Sequence, residues 1–133
     1  MKRLLYSIGL LLSTVACESD VFPVVVLYQR WEFFQSREGT GPWAVYYKTT
    51  VNDTEYRPGG TLVYRVNGQV KAACCQPLYF RRQKNNLTFT DAAPCGRALC
   101  ADASSQNATI TQLTDKLLEL TNGQTVRQYR SVK

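Results

Sequence analysis

This chain reads as an all-β domain of about eight short antiparallel strands, on three observations. Tyr, Thr and Val recur in short alternating runs, two Asn-Gly dipeptides and several Gly/Pro clusters punctuate them, and helix-forming stretches are scarce. That grammar fits either an up-and-down barrel or a small sandwich. A barrel has one advantage: closure removes the exposed strand edges that otherwise template aggregation.

The first sixteen residues stand apart from the domain. Met1-Lys2-Arg3 gives a positive start, Leu4 to Val15 a mostly apolar run, and Ala16 a small residue before Cys17. This is the pattern of an export signal, and it is shorter than the ~20 residues a permanent membrane span needs. Thr14-Val15-Ala16-Cys17 resembles the lipobox of bacterial lipoproteins, with Thr14 where Leu, Val or Ile is usual. The resemblance implies that the Cys17 thiol is acylated with palmitate-type chains and becomes the new N-terminus. Two or more acyl chains give stable anchoring, at ~0.8 kcal/mol per buried methylene. An Asp directly after the cysteine would look like an inner-membrane retention signal. Glu18 stands there instead, so the outer membrane of the cell envelope is the expected location. The alternative is a soluble secreted protein with Cys17 as its last signal residue. The expected organisation is a signal peptide over residues 1–16, a lipidated N-terminus and short tether over 17–22, and one domain over 23–133.

Removing the signal leaves 117 residues, enough for one domain with a modest core. The mature chain keeps 14 basic against 10 acidic side chains, a formal charge of +4. Arg81-Arg82-Gln83-Lys84 and the group Arg127, Arg130 and Lys133 are the densest basic spots. Neither is interleaved with aromatics as a nucleic-acid platform would be, so both read as solvated faces and no nucleic-acid partner is expected.

Within the domain, Trp31 to Gln35 is the first expected strand, followed by a loop from Glu38 to Pro42. Trp43 to Thr50 is the second, with Trp43, Val45 and Tyr47 on one face. A loop from Val51 to Gly60, carrying Asp53 and Glu55, leads into Thr61 to Val66. Asn67-Gly68 then makes a two-residue hairpin turn, because both residues tolerate positive φ. Gln69 to Cys75 returns, Pro77 interrupts, and Leu78 to Arg82 resumes. Lys84-Asn85-Asn86 turns into Leu87 to Thr90, after which an irregular stretch from Asp91 to Gln106 carries two cysteines. Asn107 to Gln112, Lys116 to Leu120 and Gln124 to Arg130 finish the chain, with a second turn at Asn122-Gly123. Leu113, Leu117, Leu118 and Leu120 also have helical spacing. Thr109-Ile110-Thr111 before them and Asn-Gly after them favour two strands joined at Leu113-Thr114-Asp115.

Several stretches, in this order, resemble the lipocalin-like domain of small bacterial lipoproteins. They are Gln29-Arg30-Trp31-Glu32-Phe33, Pro58-Gly59-Gly60-Thr61-Leu62, Asn86-Leu87-Thr88-Phe89, Ile110 to Leu120, and Tyr129-Arg130. The resemblance spans nearly the whole mature chain and implies an up-and-down β-barrel. It assigns Trp31 to the barrel floor, with Arg130 or Arg127 stacked on its indole. Gln29 stands where lipocalins usually carry glycine, and the chain is short for the family, which argues against a spacious cavity.

Four cysteines remain after Cys17: Cys74, Cys75, Cys95 and Cys100. An even number in an exported chain reads as two disulfides. Cys74 and Cys75 point to opposite sheet faces, so each is expected to pair with one of Cys95 and Cys100, stapling the irregular stretch to a strand. A local Cys95–Cys100 bond is the fallback. A four-thiolate zinc site is the sharper alternative, against which the adjacency of Cys74 and Cys75 counts.

The chain has no histidine, which removes the commonest general base and metal ligand. No phosphate loop, nucleophile elbow or spaced carboxylate pair is present, so no enzyme, cofactor or metal is expected. The expected function is a monomeric, membrane-anchored binding module for a small apolar or amphipathic ligand, with Tyr47, Tyr64 and Tyr79 equally readable as pocket aromatics or as core residues. The alternative is an envelope protein-interaction module, an inhibitor or accessory subunit, with a filled barrel.

Overall fold

The computed structural model describes residues 21–96, 100 and 106–133. The expected signal peptide and Cys17 lie outside these residues. Eight strands carry the fold: β1 (Arg30–Glu38), β3 (Asn52–Tyr56), β4 (Leu62–Val66), β6 (Pro77–Gln83), β7 (Asn86–Ala92), β8 (Asn107–Leu113), β9 (Leu117–Asn122) and β10 (Thr125–Ser131). Two-residue strands β2 (Ala44–Val45) and β5 (Gln69–Val70) attach to β1 and β4. The sheet runs β5-β4-β3-β1-β10-β9-β8-β7-β6, with every neighbouring pair antiparallel. The expected all-β antiparallel architecture is therefore present, curled into a barrel.

A narrow seam brings the ends of that curl together. Thr61 bridges Tyr79, and the Phe80 N–H donates to the Gly60 carbonyl at 2.7 Å, joining the start of β4 to β6. Gly60 makes the approach feasible: its φ is +88°, and an added Cβ would lie 2.5 Å from the Phe80 oxygen. Farther along, β4 pairs with β5 instead, and the barrel splays open.

Strand direction separates two ends. At the base lie the turns after β3, β6 and β8, together with α1 (Val24–Leu27), a single helical turn after Pro23. Leu27 is fully buried there, and its carbonyl accepts the Trp31 indole N–H at 3.0 Å. Trp31 is 1% exposed and sits with Leu27 at this closed end. Phe22 also docks at the base: its N–H donates to Asn85 Oδ1 at 3.1 Å, and its carbonyl accepts from Arg82 Nη2. Alternation along the strands turns Tyr56, Leu62, Tyr64, Leu118 and Leu120 inward onto this core.

Several expected elements differ. Trp43 to Thr50 is not an extended strand; only Ala44–Val45 pairs, and Trp43 and Tyr46 pack back onto β1. Arg37 lies 4.5 Å from the Trp43 ring, and Tyr46 packs on Phe33 at 4.9 Å. Conversely, the expected loop from Val51 to Gly60 contains β3. Asn, Asp and Glu are depleted in strands, which hides it, yet Thr54 and Tyr56 face inward while Asp53 and Glu55 meet arginines on the other face. Gln69 to Cys75 pairs only over Gln69–Val70 before the chain turns toward the cysteines. The two-strand reading of Thr109 to Leu120 holds, with Leu113 opposite Leu118.

Candidate functional site

Above Trp31 the splayed barrel encloses a cavity of about 390 Å³. Its walls come from inward positions of the strands: Phe33 of β1, Tyr56 of β3, Tyr64 of β4, Phe89 of β7, Leu120 of β9 and Tyr129 of β10. Rings meet around it, with Tyr56 edge-on to Phe80 at 5.0 Å and Phe33 tilted on Tyr129 at 5.5 Å.

Three tyrosines turn their phenols into this space. The Tyr64 hydroxyl donates to the Pro77 carbonyl at 2.6 Å, whereas those of Tyr56 and Tyr129 have no protein partner among the described residues. Burial pushes all three pKa values up, and the proximity of Tyr129 adds to the rise at Tyr56 and Tyr64. Arg127 acts the other way on Tyr129, which places its charge close to that phenol. All three therefore stay neutral donors at ordinary pH.

The mouth is cationic. Lys48, Lys71 and Arg127 line it, alongside the amides of Gln76 and Asn122. Lys48 Nζ stands 6.0 Å from the centre of the Phe33 ring. The acid along the wall, Asp53, is already engaged: its fully buried carboxylate accepts from Arg30 at 2.6 Å and lies 3.6 Å from Arg65. Arg30 is accordingly held more tightly protonated by its bond to Asp53. Beside them Glu55, which the sequence left without a perturbing neighbour, is held below its usual range by Arg57 and then Arg65.

The four cysteines gather at the same end. Cys74 pairs with Cys95 and Cys75 with Cys100, with Cα separations of 5.3 and 5.1 Å. The expected non-local pairing is thus the arrangement seen, and it ties Cys95 and Cys100 to a segment flanked by cavity-lining Ala73 and Gln76.

Other predicted site residues fall differently. Arg130 does not reach the Trp31 indole: it sits opposite Glu32 in register, 62% exposed, and donates to that carboxylate at 2.8 Å on the outer face. Arg127, read from sequence as part of a solvated face, lies opposite Leu120 and shares its inward phase. Tyr64 is a cavity residue, but Tyr47 is 93% exposed and Tyr79 lies half out on the seam. The sequence reading missed Tyr56, Tyr129, Lys48 and Lys71. The alternation of Arg127 and Tyr129 against Leu118 and Leu120 was the available signal for two of the inward positions.

No protein-family model and no curated protein matches the chain. Among solved structures it is similar to a lipocalin-like protein from Bacteroides uniformis, at 12% identity and a TM-score of 0.49, over 80% of this chain and 99% of that one. It is also similar to an uncharacterized protein from Bacteroides eggerthii, at 11% identity and a TM-score of 0.45, with the same coverage.

Proposed function

We infer that this chain is a membrane-tethered, non-catalytic binding module of lipocalin-like build that takes a small apolar or amphipathic ligand into its mouth cavity. The observation that carries the reading is the cavity itself: about 390 Å³, walled by aromatic side chains, with two phenol donors lacking protein partners. Small-molecule sites occupy about 300–1,000 Å³ and combine apolar walls with a few aimed polar groups. The chain has no histidine, and Asp53, the acid beside the space among the described residues, is already engaged by Arg30, which supports a binding role over a catalytic one.

Acylation of Cys17 supplies the tether in this reading. Phe22 lies five positions after Cys17, a reach of at most ~18 Å, and Phe22 is fixed at the base. The base then faces the membrane and the mouth faces away from it. The interaction-module reading draws on a different feature, the exposed side chains of Val45, Tyr46 and Tyr47 beside the mouth.

Native mass spectrometry of protein purified from its own envelope tests the cavity reading. A co-purifying small molecule, lost on mild unfolding, is the expected result; a clean apo mass together with a stoichiometric protein partner would favour the interaction module. For the tether, Cys17→Ala is expected to leave the membrane fraction and retain its unprocessed N-terminus. Unchanged partitioning would remove the lipoprotein claim.

A further inference from the structure

We propose that the ligand is a single-tailed anionic amphiphile, its charged head held at the mouth by Lys48, Lys71 and Arg127 and its tail lying among the tyrosines above Trp31. The proposal rests on the cavity reading and names the ligand class that site would select.

The distribution of charge carries the argument. Arg30, Arg57, Arg65 and Arg130 each have a carboxylate within 3.1 Å, on the opposite face from the core or at its edge. Of the described cations that have no acidic partner, Lys48, Lys71 and Arg127 are the three that line this one cavity. Three exposed cations around one concave space, unpaired among the described residues, generate a positive potential that an anion lowers. The acid in that wall offers no competing neutralisation, because Arg30 and Arg65 hold it.

The polar lining also has one sense. Lysine, arginine and neutral phenol groups donate hydrogen bonds to an acceptor-rich head. Below them the walls are Phe33, Phe89 and Leu120, which give nothing to a polar body but gain from an apolar one. A small inorganic anion would leave those walls wet, and a neutral hydrocarbon would leave the cations without partners. An amphiphile with an anionic head satisfies both ends.

Titration calorimetry with decanoate, decyl phosphate and decanol on the purified, delipidated protein tests this. Both anions are expected to bind at least about tenfold more tightly than decanol, the scale of one charge-assisted hydrogen bond. That preference should shrink as salt is raised from 20 mM to 0.5 M, roughly. In the triple variant Lys48→Gln, Lys71→Gln, Arg127→Gln the preference is expected to fall below about threefold, while Lys116→Gln at the base preserves it. Circular dichroism melting confirms that both variants fold. Equal binding of decanol and the anions overturns the head-group assignment and leaves the cavity reading standing. A preference that survives the triple variant overturns the assignment of these three side chains. Binding of none of the three compounds, with no co-purifying ligand, defeats the cavity reading itself.

Discussion

The base and the mouth of this barrel are built on opposite principles. At the base the central groups are enclosed and matched: Leu27 and Trp31 are out of water, the indole N–H has its carbonyl, and the Phe22 amide has its asparagine. At the mouth, polar groups stand without protein partners among the described residues: the Tyr56 and Tyr129 phenols in the cavity and the exposed Lys48, Lys71 and Arg127 around it. Their hydrogen-bonding capacity is left to whatever fills the space. The base stabilises the fold, and the mouth is kept incomplete.

The largest effect should separate the ends through stability. Trp31→Ala removes the floor and is expected to destabilise the protein by ~3–5 kcal/mol, the usual cost of deleting a buried aromatic. Thermal melting should show a midpoint lowered by more than about 10 °C. A small change would mean that the floor is held by α1 and Leu27 alone.

Next in size is removal of the staples. Reduction and alkylation of the Cys74–Cys95 and Cys75–Cys100 pairs should cost about 2–4 kcal/mol per bridge in denaturant unfolding. Because the bridges lie at the mouth, the Trp31 fluorescence of the reduced, still-folded protein should stay that of a buried indole. Exposure of Trp31 on reduction alone would show that the two ends are not independent.

The smallest effect is one of pH. Burial raises the pKa values of Tyr56, Tyr64 and Tyr129 above the ordinary 10.0. The unfolded chain therefore loses these protons first, so their contribution is unchanged below that value and stability declines as pH rises past it. Absorbance at 295 nm should show these three phenols ionising only together with unfolding. Their ionisation near pH 10.0 in a folded protein would show the phenols to be solvated.

Much of the barrel was readable before any coordinates, and the misreadings have a common cause. Asn-Gly at 67–68, the leucine-rich hairpin of β8 and β9, and the inward Trp31 are local signals whose chemistry acts locally. β3 was hidden because its polar residues gain their partners from elsewhere in the chain: Asp53 from Arg30, and Glu55 from Arg65. The strand expected over Trp43 to Thr50 is the converse case, since Trp43 and Tyr46 pack on β1. The cavity shares this non-local character. Arg127 and Arg130 sit three apart, and only the facing residues, Leu120 on one strand and Glu32 on another, decide which turns inward.

The pairing of β1 with β10 has a kinetic consequence. Trp31 and Ser131 are register partners 100 positions apart, so the ring cannot close until its last strand has been made. Folding then waits on a long-range encounter, the topology that slows assembly toward milliseconds and seconds. Until that encounter, β1 and β9 each present a bare edge, and the nascent chain is at its most vulnerable to self-association during this interval.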